Sequence, residues 1–222
     1  MLKRIGIVAC ALAVVASACS SESTDGTSPH STAEASVVAW FDAIEAGDVE
    51  TASESVHPES MALVFAIENN ITNEELASYI SHGVPLALQK SYWESFRKGF
   101  TEFAQKPLSA LSVGAAEAFV SNGETFASVP VSSGTAGETV VLVRERPDAT
   151  WEVDMVATLG DGFSKLLLDE YETLGSSDSD ARIRLAYAEV VSPSMWAALA
   201  GGEFGDDFAR TALTLIDRIE NS

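Results

Sequence analysis

The stretch VVLVRERPDATWEVDMV, residues 140–156, predicts the fold class more clearly than any other part of the chain. Val140–Arg144 and Trp151–Val156 are rich in β-branched and aromatic residues, which favour strands. Arg146–Ala149 lies between them and contains the Pro-Asp pair typical of a turn. The stretch therefore predicts an antiparallel hairpin.

The second strand of this hairpin alternates in polarity. Trp151, Val153 and Met155 are apolar, whereas Glu152 and Asp154 are acidic. Because successive side chains of a strand point to opposite faces, this pattern predicts a sheet with one face in the core and the other in water.

Two further strands are predicted upstream, at Ala115–Val120 and Phe126–Val131, with the hairpin turn Asn122-Gly123 between them. Four strands joined by short turns form an antiparallel meander. The patterns before Pro107 are helical, so the sequence predicts an α+β domain, residues 35–175, with N-terminal helices packed on one face of the sheet.

The helical patterns have the 3.6-residue period of amphipathic helices. The first, at about residues 33–46, carries the apolar stripe Val37, Trp40, Phe41 and Ile44. We expect Gly47 to end it and Asp48 to cap the next helix. A long helix from Pro85 to Phe103 presents an aromatic face, and Thr72–Glu75 matches a capping box.

Residues 176–222 form a predicted C-terminal helical extension. Its three helical patterns are Ile183–Val190, Ser194–Leu199 and Asp206–Ile219, and Pro193 and Gly201-Gly202 are expected to separate them. The unit is short for a domain of its own, so we expect it to pack on the main domain.

The N-terminus has the three parts of an export signal. Met1–Arg4 is positively charged, Ile5–Ala16 is apolar but too short to span a bilayer, and small residues follow. The stretch Ala16-Ser17-Ala18-Cys19 resembles the lipobox of bacterial lipoproteins, in which the cysteine thiol receives a diacylglyceryl group and the signal is cut before it. The resemblance implies a signal peptide at 1–18 and lipidation of Cys19.

An ordinary secretory signal cut after Ala18 is the alternative. The Ser/Thr-rich residues that follow favour the lipoprotein, because they have the composition of a flexible tether, assigned here to residues 19–34. The lipoprotein interpretation implies localisation in the cell envelope, with the lipid on Cys19 anchoring the protein to the membrane on its extracytoplasmic side.

The charge balance excludes one class of partner. The chain has 33 acidic and 13 basic residues, a net charge of −20, and a field of that sign repels nucleic acid. Its two cysteines, Cys10 and Cys19, both lie in the N-terminal segment. We therefore expect no disulfide and no cysteine metal site in the folded part.

The opening VVAWFDAIEAGDVETASESVHPES, an apolar helix followed by an "AGD" break and a short helix, resembles the start of the NTF2-like, or SnoaL-like, cone fold. The hairpin at residues 140–156 resembles the paired C-terminal strands of that fold. The resemblance implies a curved antiparallel sheet that wraps around helices and leaves a pocket. It makes Trp40, Phe41, Trp151 and Met155 the candidate pocket residues.

We find no catalytic motif in the chain and predict no catalytic residue, metal or cofactor. Ser95–Lys98 spells S-x-x-K, but the partner motifs of penicillin-recognising enzymes are missing. His57 precedes a proline and His82 a glycine, which favours surface or capping roles for both. Glu152 and Asp154 share a strand face that the alternation assigns to solvent.

Two functions remain open. The first is a non-catalytic module at the membrane surface that binds a small apolar molecule or another envelope protein. The second is an enzyme of the SnoaL or ketosteroid-isomerase type, which needs a carboxylate or histidine that faces into the cone; only fold analogy supports it.

Overall fold

A computed structural model describes residues 30–104, 106–133, 138–202 and 204–221. The predicted signal peptide, Cys19 and the predicted tether up to residue 29 lie outside the described residues. No helix in the described part of the chain is long and apolar enough to cross a membrane.

The chain is α+β, as predicted, with a curled antiparallel half-barrel sheet. The helices are α1 Ala33–Ala46, α2 Val49–Glu54, α3 Pro58–Asn69, α4 Asn73–His82, α5 Leu86–Ala104, α6 Met155–Thr158, α7 Gly160–Thr173, α8 Asp178–Ala186, α9 Ser192–Gly201 and α10 Asp206–Glu220. The strands are β1 Ser112–Val113, β2 Glu117–Ser121, β3 Glu124–Ser132, β4 Glu138–Glu145 and β5 Trp151–Val153.

The N-terminal helices begin and end where their sequences predict. Gly47 ends α1 in the left-handed conformation (φ 73°), which glycine adopts without steric cost. The Asp48 side chain caps α2, and Thr72 and Glu75 form the predicted capping box of α4. Helix α1 starts at Ala33, two residues before the expected domain boundary at residue 35.

The sheet is an antiparallel meander from β2 to β5, and the short strand β1 shares with β2 the outer edge of β3. Asn122 and Gly123 both have positive φ, as the predicted tight turn requires. The free edge of β5 is partly covered, because the Val153 N–H donates to the Ser55 carbonyl and the Trp151 N–H to the His30 carbonyl. His30 is half-buried, although the sequence analysis places it in the tether.

Helices cover both faces of the sheet: the N-terminal helix α1 packs on one face and the C-terminal helix α9 on the other. Val141, Val143 and Val153 are buried in the core on the face that packs with α1. Leu142 and Arg144 point to the opposite face, where α9 lies: an added Cβ on Gly201 would touch Leu142, and Ser194 contacts Arg144.

The C-terminal helices are part of this same core. Helix α10 packs on α7 and α9, and α8 packs on α4. Leu215 and Ile219 are buried, as expected for helices that cover the main domain.

Pro193 does not separate two helices. A π-helical segment, Tyr187–Val191, joins α8 to α9, and the N–H of Ser192 donates to the Tyr187 carbonyl five residues back. The wider π turn relocates the backbone bonds just before Pro193, whose nitrogen has no hydrogen to donate. The helical path therefore continues through the proline.

Candidate functional site

An apolar groove of about 330 Å³ opens between α1, α5 and one end of the sheet. Helix α1 contributes Trp40 and Phe41, and α5 contributes Phe96 and Phe100. The remaining lining residues come from the segments around the sheet: Leu111, Val131, Ser133, Glu138, Thr139, Val140, Val141, Thr158 and Leu159. Its volume lies at the lower end of the range for small-molecule sites.

Aromatic rings form one wall of this groove. The ring of Trp40 stacks on Phe41 at 5.0 Å between centroids and lies 5.7 Å from Phe96. The Trp40 side chain is buried, yet its Nε1–H has no acceptor among the described residues. A buried donor without a partner costs about 1–3 kcal/mol, and this nitrogen is closed off from solvent and so from the open groove.

The groove offers little polar chemistry of its own. The hydroxyl of Thr158 donates to the Leu142 carbonyl and accepts from the Leu142 N–H, so the protein already uses it. Glu138 is exposed at the rim. Lys106 donates to the Ser133 carbonyl beside it. Glu138 is the only charged side chain in the described lining of the groove.

The four candidate pocket residues are divided between two places. Trp40 and Phe41 line the groove, as proposed from the sequence. Trp151 is half-buried against the core, and Met155 is fully buried as the first residue of α6; neither lines the groove. Strand β5 ends at Val153, and the next residue, Asp154, caps α6. Met155 therefore lies in the helix and does not continue the alternation of the strand.

The second feature is a buried ionic cluster on the opposite face of the sheet. Asp154 is 0% exposed and accepts from Arg144 Nη2 at 2.8 Å and from the Ser194 hydroxyl at 2.7 Å. Its other oxygen, Oδ1, accepts the Ala157 N–H and so caps α6. Arg144 is buried too, and its Nη1 lies 3.1 Å from the half-exposed Glu124.

Glu152 belongs to the same face and is also buried. Arg146 Nε donates to it at 2.6 Å, and His57 Nε2 lies 3.9 Å from its second oxygen. Burial raises the pKa of Glu152, and the two arginines oppose that rise. The prediction that Glu152 and Asp154 face water is therefore wrong: α9 covers this face, and arginine pairing offsets the cost of burying the two carboxylates.

His57 caps α3, in agreement with the capping role expected for it. Its Nδ1 accepts the Ser60 N–H at 3.2 Å, so in the neutral ring the proton sits on Nε2, towards Glu152. Burial lowers the pKa of His57 to about 4, with further contributions from Arg144 and Arg146. The histidine is therefore neutral at pH 7.

This bonding limits what the cluster does chemically. His57 borders an open depression between α3, α4 and α8, but its only lone pair on a ring nitrogen is taken by Ser60, so it has none free to act as a general base. Both oxygens of Asp154 are bonded as well. The cluster ties α3, the β4–β5 hairpin and α9 together, and its geometry is structural.

The described residues contain no group of three or more His, Cys, Asp or Glu side chains placed to hold a metal ion. Comparisons of the chain with protein-family models, with curated proteins and with solved structures find no match.

Sequence reasoning missed two parts of this geometry. Phe96 and Phe100 are recognisable as an aromatic helix face, but the sequence favours a core role for them over pocket lining. Nothing in the sequence indicates that α9 supplies Ser194 to Asp154, 40 residues away.

Proposed function

We propose that this protein is a lipid-anchored, extracytoplasmic binding module that holds a small apolar molecule in the groove beside Trp40 and Phe41. The groove carries the proposal: its wall is aromatic, and its interior lacks charge among the described residues. These are the features of small-molecule sites, which combine apolar walls with few polar groups.

We propose further that the domain is an enlarged relative of the NTF2-like cone. The curled antiparallel sheet around α1 and the groove between them support this proposal. The helices α3 to α5 and α7 to α10 are additions around that arrangement.

The enzyme alternative, of the SnoaL or ketosteroid-isomerase type, has less support. It needs a carboxylate or histidine directed into the groove, and the buried candidates Glu152, Asp154 and His57 lie away from it. An envelope-protein partner is the other alternative, and no feature of the described surface favours it over a small ligand.

A fluorescent, uncharged naphthylamine probe tests binding. The chain from Ser20 onward, which retains every described residue, should bind it at one saturable site without loss of near-ultraviolet circular dichroism. Leu111→Glu replaces an apolar lining residue of the groove with a carboxylate and should weaken binding at least tenfold. Leu213→Glu, the same change at an exposed position of α10 outside the groove, should not.

Two outcomes would end the binding proposal. One is a wild-type chain that does not bind the probe saturably. The other is equal binding by folded Leu111→Glu and Leu213→Glu chains, which would place the probe elsewhere.

The anchor is tested separately, in the full chain. Cys19→Ala removes the thiol that the lipid requires, so the variant should leave the membrane fraction or remain unprocessed. A variant that is processed and stays membrane-bound like the wild type would refute lipidation at Cys19.

A further inference from the structure

A second pocket, of about 250 Å³, opens between α3, α4 and α7 and shares no lining residue with the groove beside Trp40. Among the residues that line it are Leu63, Ile67, Leu76, Asp169, Glu170 and Tyr187. We call it the acidic pocket, and we propose that it binds a small organic cation, an ammonium group carried on a compact apolar body. The proposal does not depend on the function of the groove.

The floor of the acidic pocket is apolar and continuous with the core. Leu63 on α3 and Leu76 on α4 are buried, and the partly exposed Ile67 packs against the same core. On the α7 side, the exposed Leu166 also lines the pocket. A ligand that covered this apolar surface would remove it from water, which is favourable in proportion to the area covered. The floor therefore suits the apolar body of the ligand.

The α7 side of the pocket is negatively charged. Asp169 and Glu170 both line it, and the described lining contains no lysine, arginine or histidine. Asp169 pairs with Lys165 at 2.9 Å, but both side chains are exposed, so the pair is weak. Glu170 is half-buried and has no cationic partner among the described residues. The pocket thus lacks the positive charge that a bound ammonium group would bring.

The charge of Glu170 reaches the inner wall of the pocket, where Tyr187 is fully buried. Burial and the nearby Glu170 charge raise the pKa of Tyr187. The Tyr187 hydroxyl has one hydrogen and donates it to the Leu167 carbonyl at 3.1 Å, so it does not bond to Glu170. Tyr187 also begins the π-helical segment Tyr187–Val191, and such segments occur frequently at functional sites.

The geometry of the two carboxylates favours an organic cation over a metal ion. Asp169 and Glu170 are adjacent on a helix, so their side chains diverge by about 100° and do not converge on one point. Calcium and magnesium need six or more oxygen ligands around one centre. An ammonium group on an apolar body needs one close carboxylate and a surface for the body, and this pocket offers both.

Three ligands of matched shape test the proposal by isothermal titration calorimetry at pH 7: 2-phenylethylamine, 2-phenylethanol and phenylacetate. They carry an ammonium, a hydroxyl and a carboxylate on one phenyl skeleton. The chain from Ser20 onward should bind 2-phenylethylamine at one saturable site, at least tenfold more tightly than it binds either of the other ligands. Added salt should weaken the binding of the amine, because salt screens its attraction to the carboxylates.

Glu170→Gln removes the charge and keeps the size of the side chain. This variant should bind 2-phenylethylamine at least fivefold more weakly than the wild type. Glu172→Gln is the matched control, since it makes the same change in net charge two residues along α7, on a side chain that pairs with Arg218 outside the pocket. The control should bind the amine as the wild type does.

Four outcomes would overturn the proposal. They are a wild type that does not bind 2-phenylethylamine saturably, an alcohol that binds as tightly as the amine, equal binding of the amine by the folded Glu170→Gln and Glu172→Gln chains, and displacement of the naphthylamine probe from the groove by the amine. Circular dichroism checks the fold of each variant. If Glu170→Gln does not fold, Asp169→Asn takes its place and should weaken binding in the same direction.

Discussion

The buried ion pair of Arg144 and Asp154 allows a quantitative prediction of stability. Asp154→Asn keeps the shape of the side chain and the oxygen that caps α6, but removes the charge. Arg144 then keeps two acidic neighbours, the half-exposed Glu124 at 3.1 Å and the buried Glu152 opposite it on β5, but no carboxylate bonded to its Nη2. Leaving one partner of a buried pair uncompensated costs about 3–5 kcal/mol.

For a chain of this size, a loss of 1 kcal/mol lowers the melting temperature by about 2–4 °C. We therefore expect Asp154→Asn to melt about 6–20 °C below the wild type. Calorimetry and urea denaturation of the chain from Ser20 onward measure the two quantities independently.

A double-mutant cycle with Arg144→Met isolates the pair itself. Each single variant removes one member of the pair and leaves the other buried without it, whereas the double variant removes both. The free energy of unfolding lost in the double variant should therefore be smaller, by about 1–3 kcal/mol, than the sum of the losses in the two single variants. Additive losses, or a loss below about 1 kcal/mol for Asp154→Asn, would refute the view that this pair is buried and coupled.

Three further predictions concern other parts of the fold. Burial lowers the pKa of His57 to about 4 in the folded chain. As the pH falls below 6.5, His57 is therefore protonated in the unfolded chain before it is protonated in the folded one. Between pH 6.5 and 4 the free energy of unfolding of the wild type should thus fall by up to about 3 kcal/mol relative to that of His57→Asn, a variant that retains a capping side chain. If the stabilities of the two chains change in parallel with pH, the prediction is wrong. Gly99→Ala, on the open face of α5, should stabilise the folded chain by about 0.5–1 kcal/mol. Gly201→Ala places a Cβ 2.5 Å from the Phe119 ring and should destabilise it. Thermal melts of the two variants measure both effects. A chain that ends at Gly175 loses α8, α9 and α10 and should be insoluble or melt without cooperativity. A soluble fragment with an unchanged melting temperature would show that the C-terminal helices are an appendage.

Local features of the sequence predict most of the elements. Gly47, the Thr72–Glu75 capping box and the Asn122-Gly123 turn act over two to four residues, so their geometry follows from their own chemistry. The apolar stripe of α1 is equally local, and it places Trp40 and Phe41 on one side of the helix.

Partners that are distant in the chain are decided only by the tertiary structure. Alternation in β5 shows that Glu152 and Asp154 share a face, but it does not show whether water or another helix covers that face. The answer depends on Ser194 in α9, 40 residues downstream. The same holds for the groove: Trp40 and Phe41 become wall residues only through the packing of α1 beside α5 and the sheet. Periodicity specifies which side chains point the same way along one element, whereas burial depends on packing between elements, and that information does not reside in any one stretch of the sequence.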